Sequence, residues 1–246
     1  MKVSAARSEL LDSISVVSRG LSSRSTLPIL SSVLLEAKGD ELVLQSTDLE
    51  VSLKHSMSAR IDEEGTAVIP GRLLTDIVRS MPEAAVNIES GSQDEATISC
   101  AQSSFDVRTL HAEDFPKFPE VSPDSVVVLP TDSLTDVIKQ VSRAASKDET
   151  RPVLTGVLTI VEPTSLKMVA TDSYRLAVRQ VEIDGPDEPI EVVIPNKAVD
   201  EIPRLAGASE TVSLGVAENQ VVFEFGTTIF VSRKIDGRFP NYSQLI

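Results

Sequence analysis

One unit is written twice in this chain. Val17-Ser18-Arg19 returns as Val141-Ser142-Arg143, Pro28-Ile29-Leu30 as Pro152-Val153-Leu154, Thr47-Asp48 as Thr171-Asp172 and Phe115-Pro116 as Phe239-Pro240, all at an offset of 124. Ile69-Pro70 returns as Ile194-Pro195 at 125. A single pair of this kind carries no weight. Five in the same order at nearly one offset point to duplication. The period is too long for a solenoid, whose repeats run to about 50 residues. The chain therefore reads as two copies of one domain, 1–122 and 123–246, joined by the short linker Pro119-Glu120-Val121-Ser122-Pro123.

Each copy reads as α+β. A short strand (Lys2–Ser4; Val126–Leu129) leads into a helix whose apolar stripe is Leu10, Ile14, Val17 in one copy and Leu134, Ile138, Val141 in the other. That spacing is helical, and Asp132 is placed to cap the second of these helices. Two strands follow, Ser32–Glu36 with Glu41–Gln45, and Gly156–Val161 with Ser165–Val169. They are joined by the turn residues Lys38-Gly39-Asp40 and Glu162-Pro163-Thr164. A further strand-rich stretch, counted as one strand, ends at Ile-Pro, where a second helix starts. Its apolar positions are Leu73, Leu74, Ile77 and Val199, Ile202, Leu205, with Pro203 expected to kink or end the latter. Three strands close the copy. The predicted order is β-α-β-β-β-α-β-β-β, a duplicated β-sheet with two helices packed on one side.

Charge is where the two readings of this chain divide. A net charge of −14 argues against a polyanion partner. Helices over 7–19, 72–80, 132–145 and 196–205 nevertheless carry eight basic residues (Arg7, Arg19, Arg72, Arg79, Lys139, Arg143, Lys197, Arg204) against seven acidic ones, so they sum to +1 and the remainder to −15. Lys139 and Arg143 lie four apart; Arg72 and Arg79, and Lys197 and Arg204, lie seven apart. Each pair shares a face. A basic helical face on an acidic body suits contact with phosphate on one surface, without base readout. An ordinary solvated helix face is the competing reading. Arg24 and Lys147 sit on polar loops after the first helix of each copy and extend the same candidate surface.

The sequence offers little for catalysis. No P-loop, dinucleotide fingerprint or HExxH appears. One cysteine, Cys100, and two histidines, His55 and His111, in unrelated contexts leave no expected metal site and no intrachain disulfide. Asp48 and Asp172 read as self-capping turn residues; a hydrolase using either with a nearby serine remains an alternative, as does a scaffold without nucleic acid. The N-terminus lacks an apolar signal core and no run is long enough to cross a membrane, so a reducing cytoplasm is expected.

Thr26-Leu27-Pro28-Ile29-Leu30, Thr47-Asp48-Leu49-Glu50, Ala170-Thr171-Asp172-Ser173-Tyr174-Arg175-Leu176-Ala177-Val178 and Asp236-Gly237-Arg238-Phe239-Pro240-Asn241-Tyr242 resemble the bacterial DNA polymerase III beta sliding clamp family. The resemblance runs the length of the chain. It implies the DNA clamp fold, three copies of one domain per protomer, and a head-to-tail homodimer that encircles duplex DNA with its helices facing inward. This chain would then carry the first two copies and lack the third. The family is not enzymatic and needs no cofactor. It tethers the polymerase III alpha subunit and other proteins bearing clamp-binding motifs, confers processivity, and is opened by a clamp loader.

The resemblance also implies sites. Arg24, Arg72, Arg79, Lys139, Arg143, Lys147, Lys197 and Arg204 would face DNA. Leu154, Thr171, Ser173, Tyr174, Arg175, Leu176, Pro240 and Leu245 would form this chain's part of the partner-peptide pocket. Where the family often has Gly-His, this chain has Ser173-Tyr174, which implies an altered peptide preference with an aromatic face retained.

Overall fold

The computed structural model describes residues 1–22, 26–91 and 94–244. The chain divides into two compact units, Met1–Pro119 with Thr227–Ile229, and Glu120–Gly226 with Phe230–Ile246.

In the first unit, β1 (Lys2–Ala6) runs into α1 (Arg7–Val17). Then come β2 (Ser32–Lys38), β3 (Glu41–Thr47), β4 (Val51–Ser58), β5 (Arg60–Glu63) and β6 (Gly65–Pro70). After α2 (Gly71–Ser80) follow β7 (Ala85–Ser90), β8 (Glu95–Cys100) and β9 (Ser103–Arg108). These strands make two antiparallel sheets, β5-β1-β7-β8-β9 and β4-β3-β2-β6. The second unit repeats the plan. β10 (Ser125–Pro130), α3 (Thr131–Val141), β11 (Gly156–Glu162), β12 (Ser165–Thr171), β13 (Leu176–Glu182), β14 (Ile190–Pro195), α4 (Asn196–Leu205), β15 (Thr211–Val216), β16 (Gln220–Phe225) and β17 (Thr228–Arg233) follow in order. Its sheets are β13-β12-β11-β14 and β10-β15-β16-β17.

Two corrections to the sequence reading follow. Each unit has two sheets where one was expected. The stretch before the second helix holds more strands than one: β4, β5 and β6 in the first unit, β13 and β14 in the second. Proline and turn residues are scarce between β4 and β6, so those strands merge into one polar, alternating run in the sequence.

The helices supply the core as their spacing demands. Leu10, Ile14 and Val17 of α1 are fully buried, and Leu134, Ile138 and Val141 of α3 nearly so. In α2 the buried face is Leu74, Ile77 and Val78, while Leu73 stays 43% exposed. The predicted stripe was thus rotated by one residue. Burying a leucine or isoleucine side chain stabilises by about 1.5–3 kcal/mol, so these positions fix the helices to their sheets. α2, α3 and α4 each start directly after a proline, Pro70, Pro130 and Pro195. The ring fixes φ and the extended ψ then ends the strand, so no side-chain cap is made. Asp132 is therefore not the cap of α3. It lies inside the first turn, where its charge suits the positive helix end. Pro203 lies within α4, which runs two residues beyond it.

Arg7 shows how the helix pair of the first unit is held. Its Nη2 donates to the Arg79 carbonyl at 2.7 Å, its Nε to the Val78 carbonyl at 3.2 Å, and its Nη1 to Glu83 at 3.0 Å. It adds side-chain donors to carbonyls in the last turn of α2, of which that of Val78 also accepts the Met81 N–H at 3.3 Å. Arg7 is thus a structural cation and leaves the solvent face to its neighbours.

Candidate functional site

The cations of the second unit converge. α3 and α4 pack together, and between them lies a cleft of about 650 Å³ lined by Lys139, Arg143, Lys147, Arg175 and Arg204, with Asp200 as the one carboxylate. Lys139 is exposed on the last turn of α3, and Arg143 follows four residues on, exposed in the 3-10 turn Ser142–Ala144. Lys147 follows on the loop after α3. Among the described residues, Lys139, Arg143 and Lys147 make no ion pair, whereas Arg204 donates to Glu201 at 2.9 Å and Arg175 to Asp172 at 3.0 Å. Charges left without a carboxylate partner in a concave site raise the local potential for anions.

The first unit does not repeat this density. At the duplication offsets, Lys139 corresponds to Ser15, Lys147 to Ser23 and Arg175 to Val51. Arg143 and Arg204 alone have basic counterparts, Arg19 and Arg79. Arg72 and Arg79 are both exposed on α2, and Arg72 stands 3.9 Å from Asp76. Lys197 is exposed on the first turn of α4. Arg24 and Leu245 lie outside the described residues.

The second candidate surface begins at the turn between β12 and β13. Thr171 pairs with Leu176 across the ladder, leaving Asp172-Ser173-Tyr174-Arg175 as the loop. Asp172 Oδ1 accepts the Tyr174 and Arg175 backbone N–H groups, both at 3.0 Å. Thr171 Oγ1 donates to the Arg175 carbonyl at 2.8 Å and accepts the Ser173 N–H at 3.1 Å. These backbone donors, with the Arg175 guanidinium behind them, hold the Asp172 carboxyl below the usual carboxylate range. The first unit repeats the network through Thr47 and Asp48, with Asp48 Oδ1 accepting the Glu50 and Val51 N–H groups. A carboxylate occupied with its own turn serves the fold, and this explains why the Thr-Asp pair occurs in both copies.

What the turn presents is mixed. Tyr174 is 96% exposed, Ser173 and Arg175 are exposed, and Leu176 is half-buried. Leu176 packs with Val153, Ile160, Ile235 and Tyr242 over a buried set of Leu158, Val169, Val193 and Phe239. Thr171 and Leu154 are buried, and Pro240 is exposed beside the buried Phe239. Gly237, at φ 128, brings the chain against Val153; a Cβ there would come within 2.8 Å of the Val153 Cγ2. The structure thus brings Leu176 into an apolar cluster but leaves Tyr174 outside it, and Arg175 lines the basic cleft. Val153, Ile160, Ile235 and Tyr242 were not singled out from the sequence. For Ile160 the signal was the run Val157-Leu158-Thr159-Ile160-Val161, apolar except for the buried Thr159, since a strand covered on both faces loses its alternation.

His111 stands 3.5 Å from Asp94, and His55 lies on β4, its pKa lowered by burial. Among the described residues no group of three or more metal-ligating side chains comes together, and no helix is long and apolar enough to cross a membrane. Cys100 is buried.

Comparison with known proteins gives these surfaces a context. Residues 1–119 match the model for the DNA polymerase III beta subunit, N-terminal domain, and residues 128–241 that for its central domain. The beta sliding clamp of Staphylococcus epidermidis is 33% identical over 254 aligned residues, which take in 100% of this chain and 67% of that protein. The DNA polymerase sliding clamp of Bacillus subtilis superposes with a TM-score of 0.95 at 32% identity, over 100% of this chain and 67% of that one. Caulobacter crescentus pol III beta gives 0.92 at 34% identity, over 100% and 69%. The chain spans about two thirds of the length of the curated relatives it matches. Two units of one α+β plan, each matched to its own domain of the same subunit, place this chain in the DNA polymerase III beta sliding clamp family.

Proposed function

We propose that the second unit meets the phosphates of duplex DNA through the cleft between α3 and α4, with Lys139, Arg143, Lys147 and Arg204 as its contacts. Lys197 of the second unit, and Arg24, Arg72 and Arg79 of the first, are proposed to meet phosphate in the same way. The observation that carries this reading is the gathering of five cations and one carboxylate in one cleft of a chain whose net charge is −14. Such contacts are sequence-independent and weaken with salt. An acidic remainder keeps the outer surface from holding DNA by itself. In the complete assembly this surface lines a head-to-tail dimeric ring that encircles duplex DNA and slides along it.

The apolar cluster around Leu176, with Leu154, Thr171, Ser173, Tyr174, Pro240 and Leu245, is the docking surface for peptide segments of partner proteins. The polymerase III alpha subunit and the clamp loader are the expected partners, in the cytoplasm. Arg175 belongs to both surfaces, since it lines the cleft and closes the turn. The role is tethering, and the chain supplies no catalysis of its own.

Charge reversal tests the cleft. Lys139→Glu with Arg143→Glu should weaken binding of a fluorescent duplex of about 20 base pairs at low salt by at least about ten-fold, while Arg233→Glu, on the exposed end of β17, should leave it unchanged. Equal losses from both would reduce the cleft to general charge.

A further inference from the structure

The turn that presents Tyr174 is held from outside as well as from within. Arg151 Nη1 donates to Ser173 Oγ at 3.0 Å, and Arg151 Nε donates to Asp148 Oδ2 at 2.9 Å. Asp148 is itself fixed. Its Oδ1 accepts the Thr150 hydroxyl at 2.6 Å and the Thr150 N–H at 3.1 Å, and its own N–H donates to Ser146 Oγ at 3.1 Å. The loop is anchored in turn by the Ser146 N–H on the Leu154 carbonyl at 2.8 Å. The first unit repeats that last bond between Ser22 and Leu30, so the loop frame belongs to the duplicated fold. The latch does not. At the duplication offset Arg151 corresponds to Leu27 and Ser173 to Leu49, whose side chains cannot hydrogen-bond.

Ser173 adds the second half of the argument. Its φ of 77° lies in the left-handed region, which a non-glycine residue holds only with support. A serine there supplies a hydroxyl that glycine lacks, and the hydroxyl is the acceptor Arg151 uses. We propose that Arg151 is a positioning residue for the docking surface: it clamps Ser173 and so fixes the direction in which the following residue, Tyr174, is offered to a partner peptide. This rests on the reading of that surface as the peptide site. Arg151 reaches the turn through the Ser173 hydroxyl, and this bond is the route by which it acts on Tyr174. The turn thereby offers an aromatic from a fixed backbone position, which favours peptides that place an apolar or cationic side chain against a tyrosine face.

The experiment compares the unaltered chain with Arg151→Ala and Arg151→Lys. The first readout is amide hydrogen exchange at Tyr174 and Arg175. The second is anisotropy of a fluorescein-labelled peptide spanning the clamp-binding segment of a polymerase III alpha subunit. Arg151→Ala should speed exchange at both amides and weaken the peptide by about three- to ten-fold, the range for losing one solvent-exposed hydrogen bond. Arg151→Lys, which keeps a cationic donor, should restore part of both. Exchange and affinity unchanged in Arg151→Ala would overturn the proposal, and so would a loss that lysine does not relieve at all. If the unaltered chain ignores the peptide while Arg151→Ala still speeds exchange, the latch stands and the peptide reading falls.

Discussion

Leu49 and Ser173 occupy the same point of two copies of one turn, with φ of 76° and 77°. Each follows an aspartate whose carboxylate accepts two backbone N–H groups further along the turn. The backbone demand is therefore set by the duplicated fold, and the side chains at this point are free to diverge. Leu49 is 53% exposed, while Ser173 is bound by Arg151.

Glycine should relieve both turns, but unequally. The left-handed conformation costs a non-glycine residue about 1–2 kcal/mol. Leu49→Gly should raise the stability of the chain by about 1 kcal/mol in urea unfolding. Ser173→Gly should gain less, because it also removes the acceptor of Arg151. Equal gains would mean that the Arg151 bond contributes nothing.

Arg7 should matter to folding and not to function. Arg7→Ala takes two donors from the end of α2 and the partner from Glu83, and hydrogen bonds to charged groups contribute about 1.5–3 kcal/mol each when shielded. The Glu83 bond is exposed, so most of the loss comes from the two carbonyls. A destabilisation of about 1–3 kcal/mol is expected in denaturant unfolding, with duplex affinity at low temperature unaltered.

The turn should hold well into acid. Asp172 has its pKa depressed by the Tyr174 and Arg175 N–H groups first and by the Arg175 guanidinium after them. A depressed folded value means that its contribution is complete above the unfolded carboxylate pKa and is lost as pH falls through the folded one. Amide exchange at Tyr174, corrected for its intrinsic pH dependence, should stay constant from about pH 7 to about 4 and rise only below the ordinary carboxylate range. A rise beginning near about pH 6 would contradict the assigned cause. Asp148, depressed chiefly by the Thr150 hydroxyl, should release Arg151 in the same window.

Tyr174 and Leu176 separate binding from stability. Tyr174→Ala removes an exposed ring and should weaken peptide binding several-fold with no change in unfolding. Leu176→Ala should do both, since it packs on the buried cluster; a half-buried leucine gives up about 1–2 kcal/mol. Peptide affinity untouched by either change would remove the docking surface from this face.

The sequence carried the plan of each unit well and its edges poorly. The stripes Leu10-Ile14-Val17 and Leu134-Ile138-Val141 were legible because burial forces helical spacing on a helix against a sheet. Leu73 misled because three apolar residues within one turn leave the orientation of a short helix open by one position. The second sheet of each unit was hidden because pairing between distant strands such as β1 and β7 leaves no local trace. At the candidate sites, Lys139 and Arg143 were visible as i, i+4 neighbours, but their meeting with Lys147 and Arg175 depends on how a loop and a turn return to the helix pair. The Arg151–Ser173 bond is a tertiary contact across 22 residues and has no sequence signature at all.

The central claim is that the α3–α4 cleft holds phosphate without reading bases. Its most direct test is the salt dependence of binding to two duplexes of about 20 base pairs and unrelated sequence, for the unaltered chain and for Lys139→Ala with Arg143→Ala and Lys147→Ala. The account predicts equal affinity for the two duplexes and a linear fall of log K with log salt. In the triple variant the slope should shrink by about 2–3, roughly 0.9 for each phosphate that is no longer neutralised. A preference for one duplex, or a slope that survives the triple substitution, would contradict it.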